Sequence, residues 1–201
     1  MNTTVEKYLS GLKKAYLNNN VNEIWEHFEK IKYGAAKEDI KKLKSVYADI
    51  PDALISLLEY VDGTYWREYQ GEQIAFYFLG SDVEEYPYYL LSSEEMIENQ
   101  NQAVDYYSDY IERKYDEVKI DEKITNERDK IKWLHFSDCM NNGGTSQLFI
   151  DFSPSEKGKK GQVVRFLHDP DNFTVIADSF EDYLNKIMES EYNFVNEDLL
   201  D

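Results

Sequence analysis

Cysteine, long apolar runs and positive charge are all scarce in this chain of 201 residues. Cys139 is the only cysteine, so the chain can form neither an internal disulfide nor a zinc site built on several cysteines. No stretch approaches the roughly 20 apolar residues that a membrane helix needs. The first residues also lack the apolar run and the small-residue cleavage pattern of a secretory signal. We therefore expect a cytoplasmic protein that does not enter a membrane.

The charge balance limits the classes of partner. Lys and Arg number 22 against 40 Asp and Glu, which gives a net charge of −18. This charge repels nucleic acids and anionic membranes, so we do not expect direct binding to either. A basic protein partner is favoured, although the same acidity also serves solubility. The hydrophobic fraction of 42% is ample for the core of one domain of this length.

Apolar periodicity predicts helices at both ends of the chain and in its centre. Apolar residues at helical spacing predict four helices before Gly63. A capping box at Ser92 predicts the start of a long central helix that continues to Val118, and a similar pattern at Ser179 starts the last helix. Residues 119–130 are mostly charged and are predicted to form a solvated connector, and the acidic tail 189–201 is predicted to fray.

Runs of β-branched and aromatic residues predict the strands. They lie near residues 72–79, 131–136, 147–152, 162–168 and 173–177. The first run is apolar on both sides and is expected to be a central strand. The short connections between the later strands favour antiparallel pairing. The predicted fold class is therefore α+β, a mostly antiparallel sheet with N-terminal, central and C-terminal helices packed around it.

Two groups of residues are candidates for catalysis or metal binding. His135, Asp138 and Cys139 are close in sequence, but a nucleophile needs a base within reach of its sulfur, and no pattern in the chain indicates such contact. Asp151, His168, Asp169 and Asp171 are residue types that bind metals, but the run from His168 to Asn172 is typical of a turn. We therefore predict no enzyme activity, no metal and no cofactor.

Two familiar nucleotide and hydrolase motifs are missing. Asn141, Asn142, Gly143 and Gly144 lack the lysine and the following helix of a phosphate-binding loop, so they are predicted to form a hairpin turn. No serine stands in a GxSxG context.

Acidic residues and tyrosines are concentrated in residues 82–117. This window contains eleven acidic residues and only two basic residues, and seven of the 17 tyrosines lie in it. One interpretation is a solvated helix face with tyrosines on its inner side. The other is a docking surface, because tyrosine offers a large contact area and carboxylates complement a basic partner. The candidate docking residues are Tyr86, Tyr88, Tyr89, Asp105, Tyr106, Asp109, Tyr110 and Glu112.

A series of short motifs runs in order through residues 34–188. The first are Gly34-Ala35, Glu38-Asp39-Ile40, Ile50-Pro51-Asp52 and Asp62-Gly63. The later ones are Trp133, Gly143-Gly144, Ile150-Asp151 with Pro154, Gly161-Gln162-Val163, His168-Asp169, Ala177-Asp178-Ser179-Phe180 and Tyr183-Leu184. In this order they resemble the SUKH superfamily, and within it the Smi/Knr cell-wall-assembly regulators and their bacterial relatives. Ala36 and Ile50 depart from the usual pattern.

The resemblance implies a domain organisation and two functions. It implies a SUKH domain over residues 34–188 with an acidic, insert-like region at 82–130, preceded by a helical extension 1–33 and followed by the acidic tail 189–201. Bacterial members resemble immunity proteins that neutralise toxins, often nucleases, and fungal members resemble regulators of cell-wall and glucan synthesis. The first hypothesis is therefore an immunity protein that binds a basic toxin domain. The second is a regulator or scaffold of glucan or peptidoglycan synthesis that acts through protein partners.

Overall fold

Helices form most of the first 60 residues, as the periodicity predicts. The structure is a computed structural model that describes residues 2–83, 86–139 and 146–195. The N-terminal helices are α1 (Thr3–Asn18), α2 (Asn22–Ile31), α3 (Lys37–Val46) and α4 (Asp52–Tyr60). The side chain of Asn2 accepts the Thr4 backbone N–H at 2.9 Å and caps α1, whereas Ala36 leaves the start of α3 without a side-chain cap. No helix in these described ranges is long and apolar enough to cross a membrane.

The rest of the chain forms a hairpin, a larger sheet and three more helices. A short hairpin pairs β1 (Arg67–Tyr69) with β2 (Glu72–Ile74). The sheet contains β3 (Tyr88–Leu90), β4 (Lys119–Ile120), β5 (Trp133–Cys139), β6 (Ser146–Asp151), β7 (Gln162–Leu167) and β8 (Asn172–Ala177). The remaining helices are α5 (Ser93–Glu98), α6 (Gln102–Ile111) and α7 (Phe180–Glu189), with a 3₁₀ turn at Arg128–Lys130.

The strand order in the large sheet is β3-β5-β6-β7-β8-β4. Each neighbouring pair is antiparallel except β4 and β8, which are parallel. The predicted α+β class with a mostly antiparallel sheet is confirmed.

Both faces of the sheet are covered because side chains alternate along the strands. Leu134 and Phe136 point into a core that includes apolar residues of α1, α4 and α7. Trp133 and Phe149 point to the opposite face, where a second core includes Tyr107 of α6. Helix α6 therefore covers part of this second face of the sheet, together with Ile124 of the segment that follows it.

The prediction of a single long central helix is wrong. Its predicted start is present, since Ser92 and Glu95 form the capping box of α5. The helix ends at Glu98, and α6 begins at Gln102 after a turn in which the Gln102 N–H donates to the Asn99 carbonyl at 2.9 Å. Asn99-Gln100-Asn101 contains two residues with low helix propensity, whose side chains compete for backbone hydrogen bonds.

The prediction of a central strand at residues 72–79 is also wrong. Only Glu72–Ile74 is a strand, and it belongs to the two-stranded hairpin. Phe76 and Phe78 are buried, but their N–H groups donate to the carbonyls of Thr64 and Tyr88 rather than to a regular ladder. The Phe76 ring stacks on Phe28 with 4.0 Å between ring centroids, so tertiary packing explains its apolar character.

The prediction of a solvated connector at residues 119–130 is wrong, because this segment contributes to the sheet and to the second core. Lys119 pairs with Asn172 in the parallel β4–β8 contact, and Ile124 is buried. The Arg113 guanidinium donates to the carbonyls of Ile124 and Thr125 and anchors this segment to the end of α6.

The acidic tail does not fray where the structure describes it. Tyr192, Phe194 and Val195 are buried in the first core. The Tyr192 hydroxyl donates to the Tyr8 carbonyl at 2.8 Å, which ties the end of the chain to α1. Residues 196–201 lie outside the described residues, as does the predicted turn at Gly143 and Gly144.

Candidate functional site

An open cleft lies between α6 and the ends of strands β5 to β8. Its volume is about 540 Å³. We call it the α6 cleft and define it by three groups of residues. Tyr106, Tyr107 and Tyr110 come from α6, and Asn99 and Gln102 from the turn before it. The sheet side is formed by His135, Asp138, Gln147, Phe166, His168 and Asp171.

Strand register explains why the sheet residues of the cleft are neighbours. Asp138 of β5 pairs with Gln147 of β6, and Gln147 pairs with Phe166 of β7. The three side chains therefore form one row across the sheet, on the face that α6 covers. Polar residues within a buried strand need hydrogen-bond partners, and this row supplies them.

A chain of hydrogen bonds fixes the floor of the cleft. The Tyr107 hydroxyl donates to Gln147 Oε1 at 2.6 Å, and Gln147 Nε2 donates to Asp138 Oδ1 at 2.9 Å. His135 Nε2 lies 3.1 Å from the same Asp138 oxygen, and only 1% of the His135 side chain is exposed. Asp138 is thus held in one orientation from two sides.

Aromatic rings form the walls. Tyr107 packs against Phe166 with 4.4 Å between ring centroids. Tyr106 stands at the rim with 68% of its surface exposed, which is the highest exposure among the large hydrophobic residues described. Tyr110 is half-buried and packs against Tyr115. The cleft therefore has an apolar, electron-rich lining above a polar floor.

A second carboxylate, Asp171, stands at the other end of the cleft. Its Oδ1 lies 2.5 Å from His168 Nδ1. A hydrogen bond to Asp171 raises the pKa of the Tyr110 hydroxyl, because ionising that hydroxyl would place a second negative charge beside the carboxylate. Burial, followed by the charges of Asp138 and Asp171, raises the pKa of Tyr107 as well. Both carboxylates thus act electrostatically on the same tyrosine.

The sequence pattern predicts two unrelated candidate sites for the histidines and carboxylates of the cleft, whereas the structure brings these residues into one cleft. His135 and Asp138 belong to the nucleophile hypothesis, and His168 and Asp171 to the metal hypothesis. Cys139 is buried in the core on the opposite face, while the His135 ring stacks on Phe149 at 4.8 Å between ring centroids. Cys139 and the His135 ring thus pack on opposite faces of the sheet.

Geometry also separates the candidate metal ligands. Asp151 is completely buried at the far end of β6, away from His168 and Asp171. Within residues 2–83, 86–139 and 146–195, no group of three or more His, Cys, Asp or Glu residues is arranged to hold a metal ion.

The residues of the predicted docking surface fall into two groups in the structure. Asp105, Tyr106, Asp109 and Tyr110 all lie on α6, and Glu112 caps its end. Lys114 Nζ lies 2.7 Å from Asp109 and 2.9 Å from Glu112, so it partly neutralises both carboxylates.

Three tyrosines of the docking prediction lie away from α6. Including Tyr88 and Tyr89 is wrong, because both are buried in strand β3 and offer no side chain to a partner. The Tyr88 hydroxyl is instead hydrogen-bonded to Ser146 at 2.6 Å. Tyr86 is partly buried against the first core.

The motif residues at the start of the domain organise helix ends. Pro51 occupies the N-cap position of α4 with a φ of −61°. Asp62 is 4% exposed, and its carboxylate accepts the Ser93 backbone N–H at 2.8 Å and the Arg67 guanidinium at 2.9 Å. Gly63 has a φ of +89°, and an added Cβ would lie 2.8 Å from the Ser92 nitrogen. These residues join α4 to α5 closely.

The later motif residues have similar structural positions. Trp133 and Phe180 are buried, one on each side of the sheet. Ser179 caps α7 by accepting the Asp182 backbone N–H at 3.1 Å. Asp169 has a φ of +60° in the turn between β7 and β8, next to the exposed His168.

Sequence reasoning missed Gln147, which links Tyr107 to Asp138. One signal was available, because Ser146 and Gln147 are polar residues at the start of the otherwise apolar run LFI. Buried polar residues on a strand indicate an internal hydrogen-bond network.

Comparison with known proteins identifies the family. None of the curated proteins compared with the chain matches it. Residues 34–186 match the model of the SMI1 / KNR4 family (SUKH-1), which is more than half of the chain. The matched range contains every element from α3 to the first part of α7, including the whole α6 cleft. The chain therefore belongs to the SMI1 / KNR4 family (SUKH-1).

Proposed function

We propose that this protein is a non-catalytic protein-binding module, and specifically an immunity protein that neutralises a cognate bacterial toxin by stoichiometric binding. Membership of the SUKH-1 family supports a role as an immunity or regulatory domain. The net charge of −18 suits a basic toxin domain such as a nuclease. Neutralisation then requires coverage of the toxin surface and no chemical step.

The observation that carries this proposal is the composition of the α6 surface. Tyr106 is largely exposed and lies between Asp105 and Asp109 on the same helix. A large aromatic side chain surrounded by carboxylates is typical of a binding hot spot for a basic partner. Long-range attraction by the carboxylates speeds association, and burial of the tyrosine slows dissociation.

Co-expression with a toxin tests the function. The toxin to test is the C-terminal domain of any large chain encoded beside this one, and it is produced from an inducible promoter in a host that lacks both genes. We expect cells to survive induction when this chain is present and to die without it. Death in the presence of folded, abundant protein would refute the immunity role.

Calorimetric titration of the purified pair tests the surface. We expect Tyr106→Ala to raise Kd by roughly 10- to 100-fold, because exposed aromatic anchors contribute most of the binding free energy. Tyr33→Ala is the matched control, since Tyr33 is 51% exposed but follows α2 and lies outside α6. Equal Kd values for both variants would place the interface elsewhere.

Regulation of cell-wall synthesis is the second candidate function. It is favoured by the family itself, in which the SMI1 and KNR4 proteins give their names to the model that matches residues 34–186. A deletion strain with altered glucan or peptidoglycan composition, and with no toxin encoded nearby, would support it. A deletion strain with an unchanged wall that dies on exposure to the toxin would support immunity instead.

A further inference from the structure

On the basis of that function, we propose that the α6 cleft binds the guanidinium group of an arginine side chain that belongs to the partner protein. The cleft has a volume of about 540 Å³ and opens beside the exposed Tyr106. A single long side chain fits this space, and the exposed residues of α6 beside it can contact the partner surface around that side chain.

The charge of the cleft selects a cation. Asp138 and Asp171 are both only about one-fifth exposed, with 20% and 19% of their side chains accessible. No lysine or arginine is among the described residues that line the cleft. Among the described residues that line the cleft, the basic groups are His135 and His168, which lie within hydrogen-bond distance of Asp138 and Asp171. The Tyr110 hydroxyl also hydrogen-bonds to the Asp171 carboxylate. A ligand with positive charge is therefore favoured, and an anionic ligand is repelled.

Asp138 is prepared to accept a ligand hydrogen bond. Its Oδ1 already accepts Gln147 Nε2 and lies within hydrogen-bond distance of His135 Nε2. No described residue donates to its Oδ2. Because Tyr107 holds Gln147 in turn, the carboxylate does not need to reorganise when a donor arrives. A fixed acceptor of this kind binds more tightly than a mobile surface carboxylate.

The aromatic walls favour arginine over lysine. Tyr106, Tyr107 and Phe166 line the cleft, and the Tyr106 ring is the most exposed of the three. A guanidinium group is planar and weakly hydrated, so it can stack on a tyrosine ring while its edge donates to carboxylates. An ammonium group is compact and strongly hydrated, and it would leave the walls of an elongated cleft unused.

A small probe tests the cleft independently of any toxin. Nα-acetyl-arginine amide is titrated into the full-length protein, and backbone and Gln147 side-chain amide signals are followed by two-dimensional NMR. We expect saturable shifts confined to cleft residues, with Kd on the order of millimolar for one isolated side chain. The citrulline analogue is the control ligand, because it has the same shape without the charge. The lysine analogue should bind more weakly than arginine.

Isosteric variants assign the binding to the two carboxylates. Asp138→Asn and Asp171→Asn should each weaken binding of the arginine probe by about tenfold, because each removes a charge-assisted hydrogen bond. Asp52→Asn is the matched control, since Asp52 is exposed at the start of α4, which packs into the core on the opposite face of the sheet, and it should change Kd by less than about twofold. Unchanged near-ultraviolet circular dichroism shows that a variant is folded. Tyr106→Ala alters only an exposed ring and serves as a second test if Asp138→Asn does not fold.

Three outcomes overturn the cleft proposal: no saturable shift in cleft residues, equal binding of arginine and citrulline analogues, or equal effects of Asp52→Asn and the cleft variants. Failure of the proposed function gives a different pattern. If the probe binds in the cleft but the chain does not protect cells from the toxin, the guanidinium site stands and the immunity role falls. If the chain protects cells and Asp171→Asn leaves toxin affinity unchanged, immunity stands and the cleft is not its arginine site.

Discussion

Burial of Asp151 is expected to make the contribution of this residue to stability fall as pH rises. The Asp151 side chain is completely buried at the end of β6, and burial raises its pKa from 3.8 to about 6. Hydrogen bonds from the Ser153 backbone N–H at 2.7 Å and from Gln162 Nε2 at 2.9 Å oppose this rise, because they stabilise the ionised carboxylate. Burial is the larger of these effects.

The raised pKa means that the folded state binds a proton more tightly than the unfolded state. Folding therefore takes up protons between about pH 4 and pH 6, and the free energy of unfolding falls as pH rises through this window. At about 1.4 kcal/mol per pKa unit, the full change is about 3 kcal/mol, and most of it falls between pH 4 and pH 8. A carboxylate with a lowered pKa has the opposite effect.

Urea denaturation of the wild type and Asp151→Asn at several pH values isolates this contribution. The variant also places an amide N–H₂ against Gln162 Nε2, but that penalty does not depend on pH. We therefore expect the difference in unfolding free energy between the two proteins to shift by about 2 kcal/mol against the wild type from pH 4 to pH 8. A constant difference would refute the raised pKa. A shift in favour of the wild type would show that the hydrogen bonds outweigh burial.

Three further predictions concern stability and are measured by urea denaturation at pH 7. Asp62→Ala should lower the free energy of unfolding by about 3 kcal/mol, because it leaves the Arg67 guanidinium without its buried partner. A decrease of less than about 1 kcal/mol would contradict this. Gly63→Ala should cost at least about 1 kcal/mol, because φ is +89° and the new Cβ meets Ser92. Tyr192→Ala should cost about 3 kcal/mol and Tyr192→Phe about 1 kcal/mol. An unchanged free energy of unfolding in Tyr192→Ala would show that the C-terminal segment is not part of the core.

Long elements with strong periodicity could be predicted from the sequence. The four N-terminal helices, α7 and strands β5 to β8 are all confirmed within a few residues at their ends. Each contains enough apolar positions for its period to be recognised, and local capping residues such as Ser92 and Ser179 mark the helix starts.

The short edge strands could not be predicted because their partners are distant in sequence. Tyr88 pairs with Cys139, and Lys119 pairs with Asn172, so neither strand exists without the later part of the chain. Two or three residues also show no period of their own. The same reason explains the C-terminal segment, where the acidic composition indicates a solvated tail but Tyr192 is held by α1.

The candidate site was predictable in its residue types and not in its geometry. His135, Asp138, His168 and Asp171 attract attention as chemical groups, yet only the register of β5, β6 and β7 shows that Gln147 links them to α6. The docking residues on α6 share a helix and are neighbours by helical spacing alone. Their role in binding stays a prediction.

Both edges of the large sheet are formed by residues 82–130. Strand β3 closes one side with three residues and strand β4 closes the other with two. Exposed edges are where β-proteins recruit further chains and begin to aggregate, and very short edge strands offer little backbone for such growth. The acidic region therefore also protects the sheet against self-association: removing it would expose the long strands β5 and β8 to other copies, and the cost would appear as insolubility.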